Sequence, residues 1–301
     1  MLSQSGQGMM EQWTEAHPHL AELARLHRCL EEALTDAVGA NPCVRPDVAE
    51  GQAQGPAPTA ELPLLLHQHL DTAFLTQAGR ALLRLLAALP AEGLPAPFLH
   101  ECVRLREGLG QSADEAARLI EDAVGANPCV RPDAAEGQAQ GPAPTVSPLL
   151  AFLIWKLLAK LLAPWREYLE QRLPDMAWEE PICPLCGAGP SMAQLVRTST
   201  GRKRLLVCGC CTTRWEYKRI GCPHCGNEEQ SQLSIIELED EPFRIDCCQQ
   251  CKGYIKTCTG KDDTVGAVHE PPLLADWSSL HLDALAMQQG WQRRAESLYR
   301  L

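Results

Sequence analysis

No run of 18 apolar residues occurs in this sequence, so a membrane-spanning helix is not expected. The nearest approach, Leu149 to Trp165, is interrupted by Lys156 and Lys160 and is too short. The opening residues lack a basic region followed by an apolar stretch, and no signal peptide is expected. An excess of positive charge is also missing. The formal net charge of -11 argues against a general binder of nucleic acid or anionic membrane, since both reward cations. No catalytic triad, phosphate-binding loop or paired-carboxylate pattern stands out, so the expectation is a protein without catalytic residues and without an organic cofactor. A soluble, cytoplasmic protein with no stable membrane insertion fits these absences.

Cysteine, by contrast, is plentiful. Eleven of the 15 cysteines fall between Cys183 and Cys258. Eight form four Cys-x-x-Cys pairs: Cys183/Cys186, Cys208/Cys211, Cys222/Cys225 and Cys248/Cys251. One such turn supplies two thiolates, and a tetrahedral ion needs four ligands, so four turns make two sites. The first two pairs are separated by 21 residues and the last two by 22, which suggests one module built twice. Each would be a knuckle, a β-hairpin and a second knuckle. Pro184 with Gly187, and Pro223 with Gly226, frame the opening knuckles. Proline fixes φ there, and glycine permits the positive φ that turns backbone N–H groups toward sulfur. Structural disulfides are the lesser alternative, because an odd cysteine count and tight pairs suit a reducing compartment. All-sulfur tetrahedral ligation suits iron and zinc alike. Four protein ligands leave no position for a reactive water, so the ions are expected to be structural.

The rest of the chain frames these modules. Glu11–Ala37, Leu62–Leu89, Pro97–Leu109, Ala113–Val124 and Leu149–Leu169 carry apolar residues at helical spacing. The last is apolar around most of its circumference, with Lys156, Lys160 and Glu167 on a narrow polar stripe, as in a central bundle helix. Residues 36–59 and 122–145 are two copies of one 24-residue segment that differ only at Val48 and Ala134. They are rich in Gly, Pro, Ala and Gln and are read as inserted loops. Cys43 and Cys129 lie within them and are read as incidental thiols. Pro174, Pro181 and Pro184 mark a boundary near residue 180. The expected class is α+β, in four parts. Residues 1–178 form a helical domain with the two inserts, 179–220 a first four-cysteine module and 221–268 a second. Residues 269–301 form a helical tail, with a helix over 279–289 capped by Asp276 or Ser278 and stopped at Gly290.

Several residues near the knuckles admit two readings. His224 sits inside a knuckle whose four cysteines already saturate a site, so an exposed turn residue is favoured over a ligand. Cys210, Cys247 and Cys258 are read as inert or alternative thiols. Trp215, Tyr217 and Tyr254 are read as packing the small cores rather than stacking on bases. Arg197, Arg202, Lys203 and Arg204 on the first hairpin are read as a solvated face. His67 and His69 point to different faces of a helix and are not a chelating pair.

The ordered combination of Cys183-Pro-Leu-Cys-Gly, Cys208-x-x-Cys211-x-x-x-Trp215 and Lys218-Arg219-Ile220-x-Cys222-x-x-Cys225 resembles the FdhE family of formate dehydrogenase accessory proteins. Cys248-x-x-Cys251-x-x-Tyr254-Ile255-Lys256 and Leu280-x-Leu282-Asp283 extend the resemblance. It implies a helical domain followed by two rubredoxin-like modules that hold iron through cysteine. It also implies a non-catalytic, cytoplasmic assembly chaperone whose partner is the catalytic subunit of a formate dehydrogenase. The two inserts and the extra Cys210, Cys247 and Cys258 depart from the family pattern. A zinc-ribbon nucleic-acid binder and a rubredoxin-like electron carrier are the rival readings.

Overall fold

Apolar residues recurring every three to four positions build the first half of the chain as helix. The computed structural model describes residues 4–39, 72–90, 95–110, 112–125, 147–176, 178–239, 241–259 and 272–294. Its chain divides into two compact units, Met1–Trp165 and Arg166–Leu301.

In the first unit run α1 (Gln4–Ala16), α2 (Ala21–Val38), α3 (Thr72–Ala88), α4 (Ala96–Leu109), α5 (Ala113–Gly125) and α6 (Pro148–Leu161). Helix α3 packs against α2, α4, α5 and α6. Leu30, Leu34, Leu82, Leu85, Leu86, Ile120, Leu153 and Ile154 fill the interior. At Gly79 the backbones of α3 and α5 come close. A Cβ there would lie 2.4 Å from the Ala113 carbonyl oxygen, so only glycine fits. The apolar helix α6 takes its expected central place. The two lysines of its polar stripe share one partner, Lys156 and Lys160 meeting the two carboxylate oxygens of Glu31 at 3.2 and 3.3 Å. Burial opposes ionisation of Glu31, but Lys156, His27 and Lys160 together outweigh it and draw the carboxyl down to about 2.

Prolines break two helices that periodicity alone reads as continuous. Pro18 interrupts Glu11–Ala37, leaving α1, a 3-10 turn over Pro18–Leu20, and α2. Pro164 ends α6 at Leu161, and the chain resumes as α7 (Ala163–Glu170). No single described helix is long and apolar enough to cross a membrane. The repeated segments also differ from a loop at their first residues. Asp36–Val38 form the end of α2 and Asp122–Gly125 the end of α5, with Ala37 and Val124 buried. An alanine and a valine there continue the apolar face of each host helix. Gly39 follows α2 at φ +70, and residues 40–59 and 126–145 of the two copies lie outside the described residues, as do Cys43, Cys129, His67 and His69.

The second unit contains most of α7, the short α8 (Leu173–Met176), a sheet and two closing helices. Its strands are β1 (Pro190–Thr198), β2 (Gly201–Cys208), β3 (Arg214–Tyr217), β4 (Leu233–Glu237), β5 (Phe243–Cys248), β6 (Gly253–Cys258) and β7 (Gln292–Arg293). The two expected hairpins, β1–β2 and β4–β5, are antiparallel. Each gains a third strand after its second knuckle, giving β1–β2–β3 and β4–β5–β6. Parallel pairing of β1 with β6, Met192 opposite Lys256, fuses the two meanders into one sheet of order β3-β2-β1-β6-β5-β4. Met192 and Val207 of the first module share a core with Phe243, Ile245 and Tyr254 of the second. Ala275, Leu282 and Ala286 from the closing helices complete it.

Those helices are α9 (Pro272–Ser278) and α10 (Leu280–Gln288), so the expected single tail helix is shorter and preceded by another. Ser279 sits at the break and turns its hydroxyl inward, donating to the Ala275 carbonyl at 2.6 Å. Neither Asp276 nor Ser278 caps α10. Asp276 is buried in α9, within an ion network described below. Gly290, at φ +85, ends the tail helix as expected.

Candidate metal centres

Each knuckle is a tight turn whose geometry follows from three local features. In the two opening knuckles the amide of the residue after the second cysteine returns to the first, Gly187 N–H donating to the Cys183 carbonyl and Gly226 N–H to that of Cys222, both at 2.9 Å. Backbone amides also point at sulfur. Leu185, His224 and Gly253 N–H donate to Cys183, Cys222 and Cys251 Sγ at 3.3–3.4 Å, and Cys210 and Cys211 N–H to Cys208 Sγ. The position after each second cysteine has positive φ: Gly187 +74, Thr212 +61, Gly226 +72 and Lys252 +56. Glycine marks the two opening knuckles in the sequence. Thr212 and Lys252 adopt the same left-handed backbone without that mark, and only their place after Cys-x-x-Cys points to them.

The turns bring the eight cysteines together as two groups of four. Cys183, Cys186, Cys208 and Cys211 form one, and Cys222, Cys225, Cys248 and Cys251 the other, with all sulfurs of a group within 4.8 Å of one another. Cys183–Cys211 and Cys186–Cys208 sulfurs are 3.5 and 3.4 Å apart. Cys222–Cys251 and Cys225–Cys248 are both 3.7 Å. Ligands about 2.3 Å from a zinc ion stand about 3.8 Å from each other at the corners of a tetrahedron. A disulfide would need about 2.05 Å. The donor sets therefore fit a four-coordinate ion, and they group sequentially along the chain rather than across modules.

Electrostatics gives the same answer. Burial pushes the Cys183 thiol well up, and the Cys186 thiol is raised first by its hydrogen bond with Cys183. Cys208 is the exception, because bonds from Cys183, Cys186 and Cys210 outweigh its burial and pull it well down. In the second group burial raises Cys222 and Cys225. Cys248 falls to about 7, where the Cys251 amide and the Asn227 side chain overcome burial. One thiolate is favoured in each group, whereas Cys183, Cys186, Cys222 and Cys225 resist ionisation. Four thiolates in so small a space need a cation among them.

The two groups differ in exposure. All four cysteines of the first are buried, whereas in the second Cys225 is exposed and Cys251 half-buried. Around the first, Thr213 Oγ1 lies 3.0 Å from Cys211 Sγ. Arg166 donates to the Thr212 hydroxyl at 2.7 Å, and Glu170 accepts from the Arg214 amide at 2.8 Å. Trp215 is buried and donates to the Glu180 carbonyl, so it packs the module. Tyr217 and Tyr254 are buried as well. His224 Nε2 lies 3.1 Å from the Tyr254 carbonyl oxygen, which ties the ring to the backbone. Cys210, Cys247 and Cys258 are buried and stand outside both groups of four.

Beside the second group lies a polar network that sequence reasoning missed as a unit. Lys256 Nζ, 1% exposed, meets Asp276 Oδ1 at 2.7 Å and Asp283 Oδ2 at 2.6 Å. Arg293 grips both oxygens of Asp276 at 2.8 Å and reaches Asp283 at 3.1 Å. The Tyr254 hydroxyl donates to Asp283 at 2.6 Å. Two cations and two carboxylates balance, tying β6 and β7 to α9 and α10. Burial opposes ionisation of Asp276, but Lys256 and Arg293 prevail and hold it below the usual carboxylate range. The motif pieces Tyr254-Ile255-Lys256 and Leu282-Asp283 thus meet in space.

Comparison with known proteins agrees with this arrangement. Residues 220–299 match the family model described as FdhE, C-terminal domain. A protein FdhE homolog from Aquifex aeolicus is 34% identical over 116 residues, 38% of this chain and 40% of the relative. Another, from Stutzerimonas stutzeri, is 32% identical over 145 residues, 46% of each chain. The chain thus spans less than half the length of these two relatives. The crystal structure of the FdhE protein from Pseudomonas aeruginosa superposes with a TM-score of 0.60 at 24% identity, covering 96% of this chain and 92% of that one, and so shows a shared fold. The resemblance to the FdhE family is thereby shown, residues 220–299 matching the model of its C-terminal domain.

Proposed function

We propose that this chain is a non-catalytic, cytoplasmic accessory protein for formate dehydrogenase, which it serves by binding the catalytic subunit during assembly. The observation that carries this reading is the pair of four-sulfur groups set in an FdhE-like fold. Cys183, Cys186, Cys208 and Cys211 would hold one ion, and Cys222, Cys225, Cys248 and Cys251 the other. Each ion, iron by the family resemblance or zinc by the same donor set, would supply cross-linking energy to a module too small to fold on its own core. The protein's residues arrange the thiolates, direct amides at them and leave no position for a reactive water. Anaerobic purification from cells expressing a tagged catalytic subunit tests the reading. Two metal ions per chain and co-purification of that subunit are expected. Full formate-dependent activity in cells deleted for the chain would overturn it.

One observation favours a second reading. The exposure of Cys225 brings the second centre to the surface, where a rubredoxin-like site exchanges electrons. Reversible one-electron titration of the purified chain, coupled to reduction of the client, distinguishes this role from a purely structural one.

A further inference from the structure

The strand β4 closes one end of the sheet. Among the described residues it pairs only with β5, leaving the backbone groups of its other edge unpaired within the sheet. Such an edge is a template for another strand. Its surroundings are apolar: Ile235 is 54% exposed, Ile220 52% and Leu238 38%, three of the few large hydrophobic side chains so exposed. Beside β4 opens a cavity of ≈ 220 Å³. That is smaller than the several hundred Å³ typical of a small-molecule site, and it suits one or two side chains.

The lining of this cavity is cationic in a chain of net charge -11. Arg204, Arg219 and Arg244 face one carboxylate, Asp246. That carboxylate is already engaged by Arg204 at 3.3 Å, Arg244 at 2.8 Å and the Thr257 hydroxyl at 2.7 Å. Arg244 also approaches the exposed Glu237 at 3.7 Å. Arg219 is exposed and forms no ion pair with another described residue. Arg204 is 2% exposed, and its Nε is buried without a hydrogen-bond partner among the described residues. A buried donor of this kind costs free energy until an acceptor reaches it.

We propose that the β4 edge and this cavity bind an extended segment of the partner polypeptide, adding it as a strand and taking one of its carboxylates among the arginines. Main-chain hydrogen bonds along β4 supply affinity, and Ile220 and Ile235 cover apolar side chains flanking the carboxylate. Cys222 and Cys248, the two buried cysteines of the second group, also line the cavity, so the bound segment lies against the buried side of that group. The inference rests on the accessory reading above and names the surface through which the client is held.

The test uses the full, metal-loaded chain and a tagged formate dehydrogenase catalytic subunit under anaerobic conditions. Capture by the native chain, with slowed amide exchange across Leu233–Glu237 in the complex, is expected. The double variant Ile235→Lys, Arg219→Glu alters exposed side chains only, and its metal content and melting temperature should match the native chain. It should bind the subunit at least about tenfold more weakly, while Met287→Lys on α10 should not. Undiminished capture by the double variant, or unchanged exchange in β4, would overturn the surface and leave the accessory reading standing. Failure of the native chain to capture the subunit would overturn both.

Discussion

The two four-cysteine modules share a plan and differ in how they are protected. In the first, all four sulfurs are buried, and Arg166 and Glu170 bond the chain just after its closing knuckle, at Thr212 and Arg214. In the second, one sulfur is exposed and another half-buried. Beside the second stands the Lys256–Asp276–Asp283–Arg293 network, which fastens the closing helices to β6 and β7. A duplicated motif has thus been stabilised in two ways: by burying the first centre, and by bracing the second from outside while it stays open. An exposed sulfur is what a centre that exchanges electrons would present.

Removing each centre in turn is the strongest way to test this contrast. A bound structural ion contributes on the order of 10–16 kcal/mol to folding, more than most single domains have in reserve. Replacing Cys183 and Cys186 by serine should empty a fully buried site and disrupt the shared core through Met192 and Val207. The expected product is insoluble or protease-sensitive. Replacing Cys222 and Cys225 should leave soluble protein with one ion per chain and a loosened second module, and should abolish maturation of formate dehydrogenase. Metal analysis with limited proteolysis checks both. Equal damage from the two double variants would mean that burial does not separate the modules.

Chelation gives a gentler version. A ligand-exchange attack needs access to sulfur, and only the second group offers it. A thiophilic chelator should therefore remove metal in two phases, fast from the second site and slow from the first. In the Cys225→Ser variant the fast phase should be lost or much accelerated, and the slow phase unchanged. Lower pH should speed both phases, because proton competition for thiolates favours release. A single phase would count against the exposure argument.

The brace itself is next in size. Lys256→Met would leave Asp276 and Asp283 sharing Arg293 alone, with buried negative charge uncompensated. Breaking a buried pair from one side typically costs about 3–5 kcal/mol. Denaturant unfolding of the metal-loaded chain measures it. Asp276 is held below its ordinary pKa, so its contribution is present above about pH 4 and declines as pH falls below that. The native chain should therefore lose stability through that range, and the Lys256→Met variant should lose less.

Much of this was legible in the sequence because knuckles are local. Cys-x-x-Cys spacing and a following glycine fix a turn within five residues, and the sequential grouping of four cysteines followed from nearly equal gaps. Helices were legible where apolar periodicity was unbroken. They were misread as continuous at Pro18 and Pro164, where a missing N–H outweighs the pattern. The joining of the modules was not legible, since the parallel pairing of β1 and β6 links residues about 60 positions apart through backbone groups that every sequence has. The same holds for the brace. Lys256, Asp276, Asp283 and Arg293 look like ordinary polar residues, and only their convergence makes them a unit. The close approach at Gly79 likewise leaves no trace in its neighbours.

The smallest expected effect separates the knuckles from each other. All four place a residue with positive φ after the second cysteine, yet the opening knuckle of each module has glycine and the closing one has Thr212 or Lys252. A side chain in the left-handed region costs about 1–2 kcal/mol, which glycine avoids. Gly226 has open space around its missing Cβ, so Gly226→Ala tests backbone strain alone, with a loss of about 1 kcal/mol expected. The reverse substitutions should not be equal. Thr212 accepts a hydrogen bond from Arg166 at 2.7 Å in the buried module, so Thr212→Gly relieves strain but removes that anchor. The Lys252 side chain bonds the exposed Gln249 side chain at 2.7 Å and lies over Trp291 at 5.7 Å. Surface contacts of this kind contribute less than about 1 kcal/mol. Lys252→Gly should therefore leave stability unchanged or raise it by a few tenths of a kcal/mol, while Thr212→Gly should lower it. Melting of the two metal-loaded variants decides the matter, and a more stable Thr212→Gly would show that the Arg166 contact contributes nothing to the buried centre.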